Sequence, residues 1–164
     1  LPSQINGPVA IRYARGKGIF NSSFDSKHLG ERLTRIESLT EKQENAIISI
    51  GTIGNTVTSL LERNQNLKGL FSHDDLRIAK PLDQESLQSI FESHQDIYLI
   101  EDGAQLGGIS QSISAWANSK GYKNTIKTLG YPDQFIEHGS AEELYASIGM
   151  DDLGVEKWMT ANSD

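Results

Sequence analysis

The chain has 164 residues, 37% of them apolar and 23% charged, with a formal net charge of −7 and no cysteine. Those values fit one soluble globular core with room for a short appendage. They exclude a disulfide framework and a thiolate metal site, and they argue against a nucleic-acid-binding surface.

In chain order, PVAIRY (8–13) reads as one short strand after the Gly7-Pro8 break. Residues 19–32 are polar and show no sustained period, so a linker and a domain boundary are placed there. LTRIESL (33–39) alternates, and AIISI (46–50) is apolar; together they predict a hairpin with one buried arm. Gly51 and Gly54 lead into a helix with Ile53, Val57, Leu60 and Leu61 on one stripe. LKGLF (67–71) is the next expected strand. Asp83 is placed as the N-cap of a helix carrying Leu87, Ile90 and Phe91. IYLI (97–100) is a third apolar strand, followed by a turn from Gly103 to Gly108 and a helix with Ile109, Ile113 and Trp116. TIKTL (125–129) is a fourth. Ser140 with Glu143 three residues on has the spacing of a capping box, over a stripe of Ala141, Leu144, Tyr145 and Ile148 that Gly149 ends. A last short helix runs from about Asp152 to Met159. Apolar strands alternating with helices predict a mainly parallel sheet covered on both faces, an α/β three-layer sandwich from about residue 33 onward, preceded by a stray strand and linker.

No apolar run approaches the ~20 residues that cross a bilayer. The expected location is the cytoplasm, with which the lack of cysteine is compatible. Residues 1–45 carry seven Lys/Arg against five acids, and the remainder eight against seventeen. This reads either as an ordinary solvated acidic surface or as a basic leading stretch facing something anionic. A chain that opens LPSQINGPVAIRY, without a methionine, reads as a piece of a longer protein.

Several stretches hold residues able to do chemistry. Gly51-Thr-Ile-Gly54 follows a strand but lacks both G-x-G-x-x-G and the lysine of a phosphate loop, so a strand-to-helix turn explains it. Gly103–Gly108 opens a helix whose free N–H groups suit an anion, although close packing or contact with another domain also accounts for its glycines. Glu101 and Asp102, at a strand's carboxyl end, form a possible acid/base pair with no nucleophile or second ligand nearby. His28, His73, His94 and His138 are scattered and read as surface or loop histidines. No G-x-S-x-G elbow is present. Asp133, Glu137 and His138 crowd into LGYPDQFIEHGS (129–140). Adjacent side chains in an extended segment diverge, so this reads as a loop and helix start rather than a metal site.

The same twelve residues, with the Ala-Glu-Glu-Leu and Ile-Gly-Met-Asp that follow, resemble the tail of the 1-deoxy-D-xylulose-5-phosphate synthase family, a branch of the transketolase-like, thiamine-diphosphate-dependent enzymes. Three further stretches agree in order: Gly7-Pro-Val-Ala-Ile-Arg-Tyr-Ala-Arg-Gly16 is similar to GPxAxRYPRG, Asp75-Leu-Arg-Ile-Ala-Lys-Pro-Leu-Asp83 to DxRFxKPLD, and Ile100-Glu-Asp-Gly-Ala-Gln-Leu-Gly-Gly108 to EENAxxGG. The resemblance implies that residues 1–18 are the tail of a pyrimidine-binding domain, 19–32 a linker, and 33–164 a transketolase-like C-terminal domain. It implies an enzyme that joins pyruvate to D-glyceraldehyde 3-phosphate with loss of carbon dioxide, for isoprenoid and thiamine precursors. Thiamine diphosphate and Mg2+ would be held by domains outside this chain, which lacks the Gly-Asp-Gly motif, and the partners would be those domains and a second copy in a homodimer. The piece alone would be structural and inactive. Arg15 is implied to grip the substrate's phosphate, a task that suits a forked guanidinium; by itself it reads as a loop arginine. Ala14 stands where the family usually has proline. Arg77 and Lys80 are expected to anchor a strand-to-helix connection. Rival readings are another transketolase-family enzyme, or a stand-alone anion-binding or interaction module using Gly103–Gly108.

Overall fold

The computed structural model describes residues 6–10 and 35–161. In chain order these form β1 (Glu37–Ser38), β2 (Asn45–Ile50), α1 (Ile53–Arg63), α2 (Gln65–Leu70), β3 (Phe71–Asp75), α3 (Gln84–Ser93), β4 (Asp96–Ala104), α4 (Ile109–Lys120), β5 (Thr125–Tyr131), α5 (Ala141–Ser147) and α6 (Asp152–Ala161). The strands make one five-stranded sheet in the order β1-β3-β2-β4-β5. All pairings are parallel except β1 with β3.

Strand side chains alternate between faces, and here the alternation divides two cores. Ile47, Tyr98 and Ile100 pack with α1 and α6 on one face, with Phe71 of β3 in the same cluster. Ala46, Ile48, Ile97 and Leu99 pack with α3 and α4 on the other. Both central strands are mainly apolar, with Ala46–Ile48 and Ile97–Ile100 sunk on both sides, because both their faces are covered. The expected three-layer sandwich is therefore the observed one.

Helix boundaries follow the predicted signals. Asp83 caps α3, accepting from Ser86 N at 3.2 Å. Ser140 and Glu143 form the complete reciprocal capping box at α5. The predicted α5 stripe is only partly sunk: Leu144, Tyr145 and Ile148 are half-buried, and Ala141 is exposed.

Two elements differ from expectation. The hairpin is not formed, because β1 pairs with β3, Glu37 opposite Asp75 and Ser38 opposite Asp74, and β3 lies between β1 and β2. What selects β3 is polar: Leu39 N donates to His73 O at 2.8 Å, His73 N donates to Thr40 Oγ1 at 2.8 Å, and Ser38 donates to the buried Asp74. The strand expected at 67–71 is instead the short helix α2, since Asn64 Oδ1 accepts from Asn66 N and Leu67 N. The true strand is FSHDD, in which Ser72, His73 and Asp74 are all buried. A buried polar strand carries no hydrophobic period. Arg77 does anchor the strand exit, pairing with Glu37 and with Asp75, while Lys80 is exposed. Of the expected strand 8–13, Pro8, Val9 and Ala10 are exposed and irregular; the rest, with Arg15 and His28, lies outside the described residues.

Candidate functional site

Ligands of α/β folds gather at the carboxyl ends of the parallel strands, and here that edge is built around the end of β4. Glu101 and Asp102 are consecutive, so the strand sends them to opposite faces. Each meets the N-terminus of the helix on its own side. Glu101, 4% exposed, accepts from Ile109 N at 2.9 Å and Ser110 N at 3.1 Å, the opening donors of α4. Asp102 accepts from Thr52 Oγ1 at 2.5 Å and from the Thr52 backbone at the opening of α1. It also accepts from Tyr145 Oη at 2.9 Å and from Tyr131 Oη. Burial alone would raise the Asp102 carboxyl, but these hydroxyl donors outweigh it and hold its pKa below the ordinary value. Tyr131, half-buried and facing that carboxylate, is pushed well up and stays protonated.

The two carboxylates are therefore not an acid/base pair. Strand alternation separates them, and each neutralises a helix end. The anion seat suggested by Gly103–Gly108 is taken as well. Glu101 occupies the α4 donors, and Gly107 N donates to Gln111 Oε1 at 2.8 Å. The turn at Gly51 is the simple strand-to-helix turn: Gly51 has φ +91°, and a side chain there would meet Asp102 Cβ at 2.6 Å.

Beside this edge lies a cavity of about 360 Å³, walled by Thr52, by Thr56 of α1, and by Tyr145, Met150 and the acidic Glu142 and Asp151. Its charge repels phosphate. A diphosphate therefore does not fit the described residues: its natural seats are filled by internal carboxylates, and the adjacent cavity is acidic. Among the described residues no group of three His, Cys, Asp or Glu side chains is placed to hold a metal ion. Glu137 and His138 sit exposed on the loop before α5, as expected of a loop. No helix of the described residues is long and apolar enough to cross a membrane.

Two histidines are not on the surface. His94 is half-buried; its Nδ1 lies 2.8 Å from Ile90 O, and its Nε2 lies 3.0 Å from Ser72 Oγ. His73 is fully enclosed, its Nε2 2.8 Å from Ser49 Oγ and its Nδ1 3.2 Å from Thr58 Oγ1. A serine beside a histidine suggests nucleophile and base, but Ser49 is 1% exposed and no substrate reaches it. The trio instead joins β2, β3 and α1. The signal available in the sequence was only a histidine inside a strand-length run; its partners come from 24 residues upstream and 15 residues upstream.

Burial lowers the His73 pKa from 6.5 to about 4. The unfolded chain therefore takes up a proton between those values and the folded chain does not, so stability falls as pH drops from about 6.5 towards 4. From pH 7.5 to 5 the loss from this group is about 2 kcal/mol. Asp74, raised by burial, works against it near the lower end of the range. Urea midpoints across that range should slope for the native chain and flatten for His73→Gln; equal slopes would exclude His73 as the cause.

The profile described as transketolase, C-terminal domain, matches residues 35–155. A curated relative from Bacteroides fragilis, named 1-deoxy-D-xylulose-5-phosphate synthase, is 39% identical over 95% of this chain and 24% of its own length. One of the same name from Porphyromonas gingivalis is 38% identical over 89% of this chain and 23% of its own length. The chain thus spans about a quarter of the length of the curated relatives it matches. Among solved structures, a split-gene transketolase described as an inactive β4 tetramer superposes with a TM-score of 0.69 at 17% identity, covering 79% of this chain and 42% of the other. A transketolase from Campylobacter jejuni gives 0.55 at 9% identity, covering 80% and 19%. At those identities the structural likeness speaks to the fold.

Proposed function

The chain belongs to the transketolase C-terminal domain family, and from that premise we propose that it is the closing domain of a thiamine-diphosphate-dependent 1-deoxy-D-xylulose-5-phosphate synthase. The observation that carries this reading is the 39% identity over 95% of the chain to a relative of that name. On this reading the whole protein works in the cytoplasm as a homodimer. It condenses pyruvate with D-glyceraldehyde 3-phosphate, releases carbon dioxide and feeds isoprenoid and thiamine precursor synthesis. Thiamine diphosphate and Mg2+ belong to the preceding domains. Residues 1–18 complete the pyrimidine-binding domain, 19–32 link it, and 33–164 form the closing domain. Arg15 binds the aldehyde's phosphate across that junction.

The described residues support a scaffolding role for this domain. Its strand-end carboxylates are consumed in holding helices, and its Ser49–His73 contact is sealed. The test is a donor comparison with the full-length protein, reconstituted with thiamine diphosphate and Mg2+. Pyruvate should serve as donor with D-glyceraldehyde 3-phosphate, a ketose phosphate should not, and the 164-residue chain alone should be inactive. Turnover of the ketose phosphate without turnover of pyruvate would assign the parent to the transketolases instead.

A further inference from the structure

We infer that the two loops leaving β4 and β5, carrying Leu106 and Phe135, form the surface by which this domain seats on the preceding part of its own polypeptide. The inference rests on the reading above, that such a part exists. Phe135 is 87% exposed and Leu106 is 62% exposed. Keeping a phenyl ring and a leucine in water forgoes roughly 1.5–3 kcal/mol apiece. The two residues belong to neighbouring loops at one edge: β4 and β5 are paired, and Gln105 N, next to Leu106, donates to Tyr131 O at 3.0 Å. The loop is presented on a braced frame, since Tyr131 before it and Tyr145 after it both donate to Asp102.

Size selects the occupant. Two such side chains offer on the order of 300 Å² of apolar surface, well short of the roughly 800 Å² per partner of a stable free association. A covalently linked partner acts at an effective concentration near millimolar, so a small patch is enough. The curated relatives supply such a partner, being about four times the length of the segment matched here. The exposed Asp133 and Glu137 beside the ring fit an apolar pocket rimmed by Lys or Arg.

The test places the photo-crosslinking residue p-benzoylphenylalanine at position 135 of the full-length protein, in a mixture of isotopically light and heavy copies. Phe135 is exposed, so the exchange leaves the core alone; the same replacement at Leu106 serves as a second probe. The expected product is a crosslink from position 135 to residues preceding Leu1, joining peptides of the same isotope. Crosslinks between light and heavy peptides would identify a second copy as the occupant and overturn the inference. Absence of any crosslink at both positions would overturn it too. Synthase activity in the same preparation is read separately: activity without the crosslink removes only this inference, and the crosslink without activity removes only the functional reading.

Discussion

Replacing Gly108 by alanine is expected to destabilise the domain by about 3 kcal/mol or more, or to prevent folding outright. A Cβ there would lie 2.1 Å from Ala104 O and 2.4 and 2.5 Å from the two carboxylate oxygens of Glu101. The oxygens cannot retreat without abandoning Ile109 N and Ser110 N, the donors Glu101 was buried to satisfy. The carbonyl belongs to the last residue of β4, so moving it moves the sheet edge. Gly108 itself has φ −79°, a conformation open to any residue, so the expected cost is steric. Gly107→Ala is the control. Its φ is +79° but nothing lies within 4 Å of the added carbon, so only left-handed strain of about 1 kcal/mol is expected. Denaturant melts of the two variants give the comparison. Equal losses would mean that backbone conformation, not contact with Glu101, makes this loop require glycine.

The second large effect is expected at Arg15 in the full-length protein, under the function proposed above. Arg15→Ala should lower kcat/KM for D-glyceraldehyde 3-phosphate about a hundredfold, equivalent to about 2.7 kcal/mol and within the range for charge-assisted hydrogen bonds to phosphate. The loss should fall mainly on the KM of the aldehyde. Arg15→Lys should recover part of it, because an ammonium keeps the charge and loses the fork. With unphosphorylated D-glyceraldehyde the native and variant proteins should be nearly equal, since the group that Arg15 would hold is gone. An equal fall with both aldehydes would instead make Arg15 a structural residue of its loop. Ala14, where the family usually carries proline, adds a second comparison: Ala14→Pro should tighten aldehyde binding if a fixed φ preorganises the arginine.

The family resemblance was legible because four motifs occur in order, and the profile match over residues 35–155 bears it out for the C-terminal domain. Local chemistry was legible as well. Asp83 and Ser140 cap the helices their spacing promised, because a cap involves residues within one turn of each other. The site at the sheet edge was not legible. Asp102 meets Thr52, Tyr131 and Tyr145 across 50, 29 and 43 residues, and no local pattern ties those four together.

The residues alone decide which segments must be covered on both faces: AII (46–48) and IYLI (97–100) are unbroken apolar runs, which marks their strands as central and parallel. They also decide where the helices begin. Only the fold decided the order of the strands and the fate of the carboxylates. FSHDD became an inner strand because Ser49, Thr58 and Ser38 were brought to its histidine and aspartate, each too far along the chain to register as a period. Glu101 and Asp102 read as one acidic pair in sequence; strand alternation turned them into two separate helix anchors, because successive side chains on a strand leave from opposite faces.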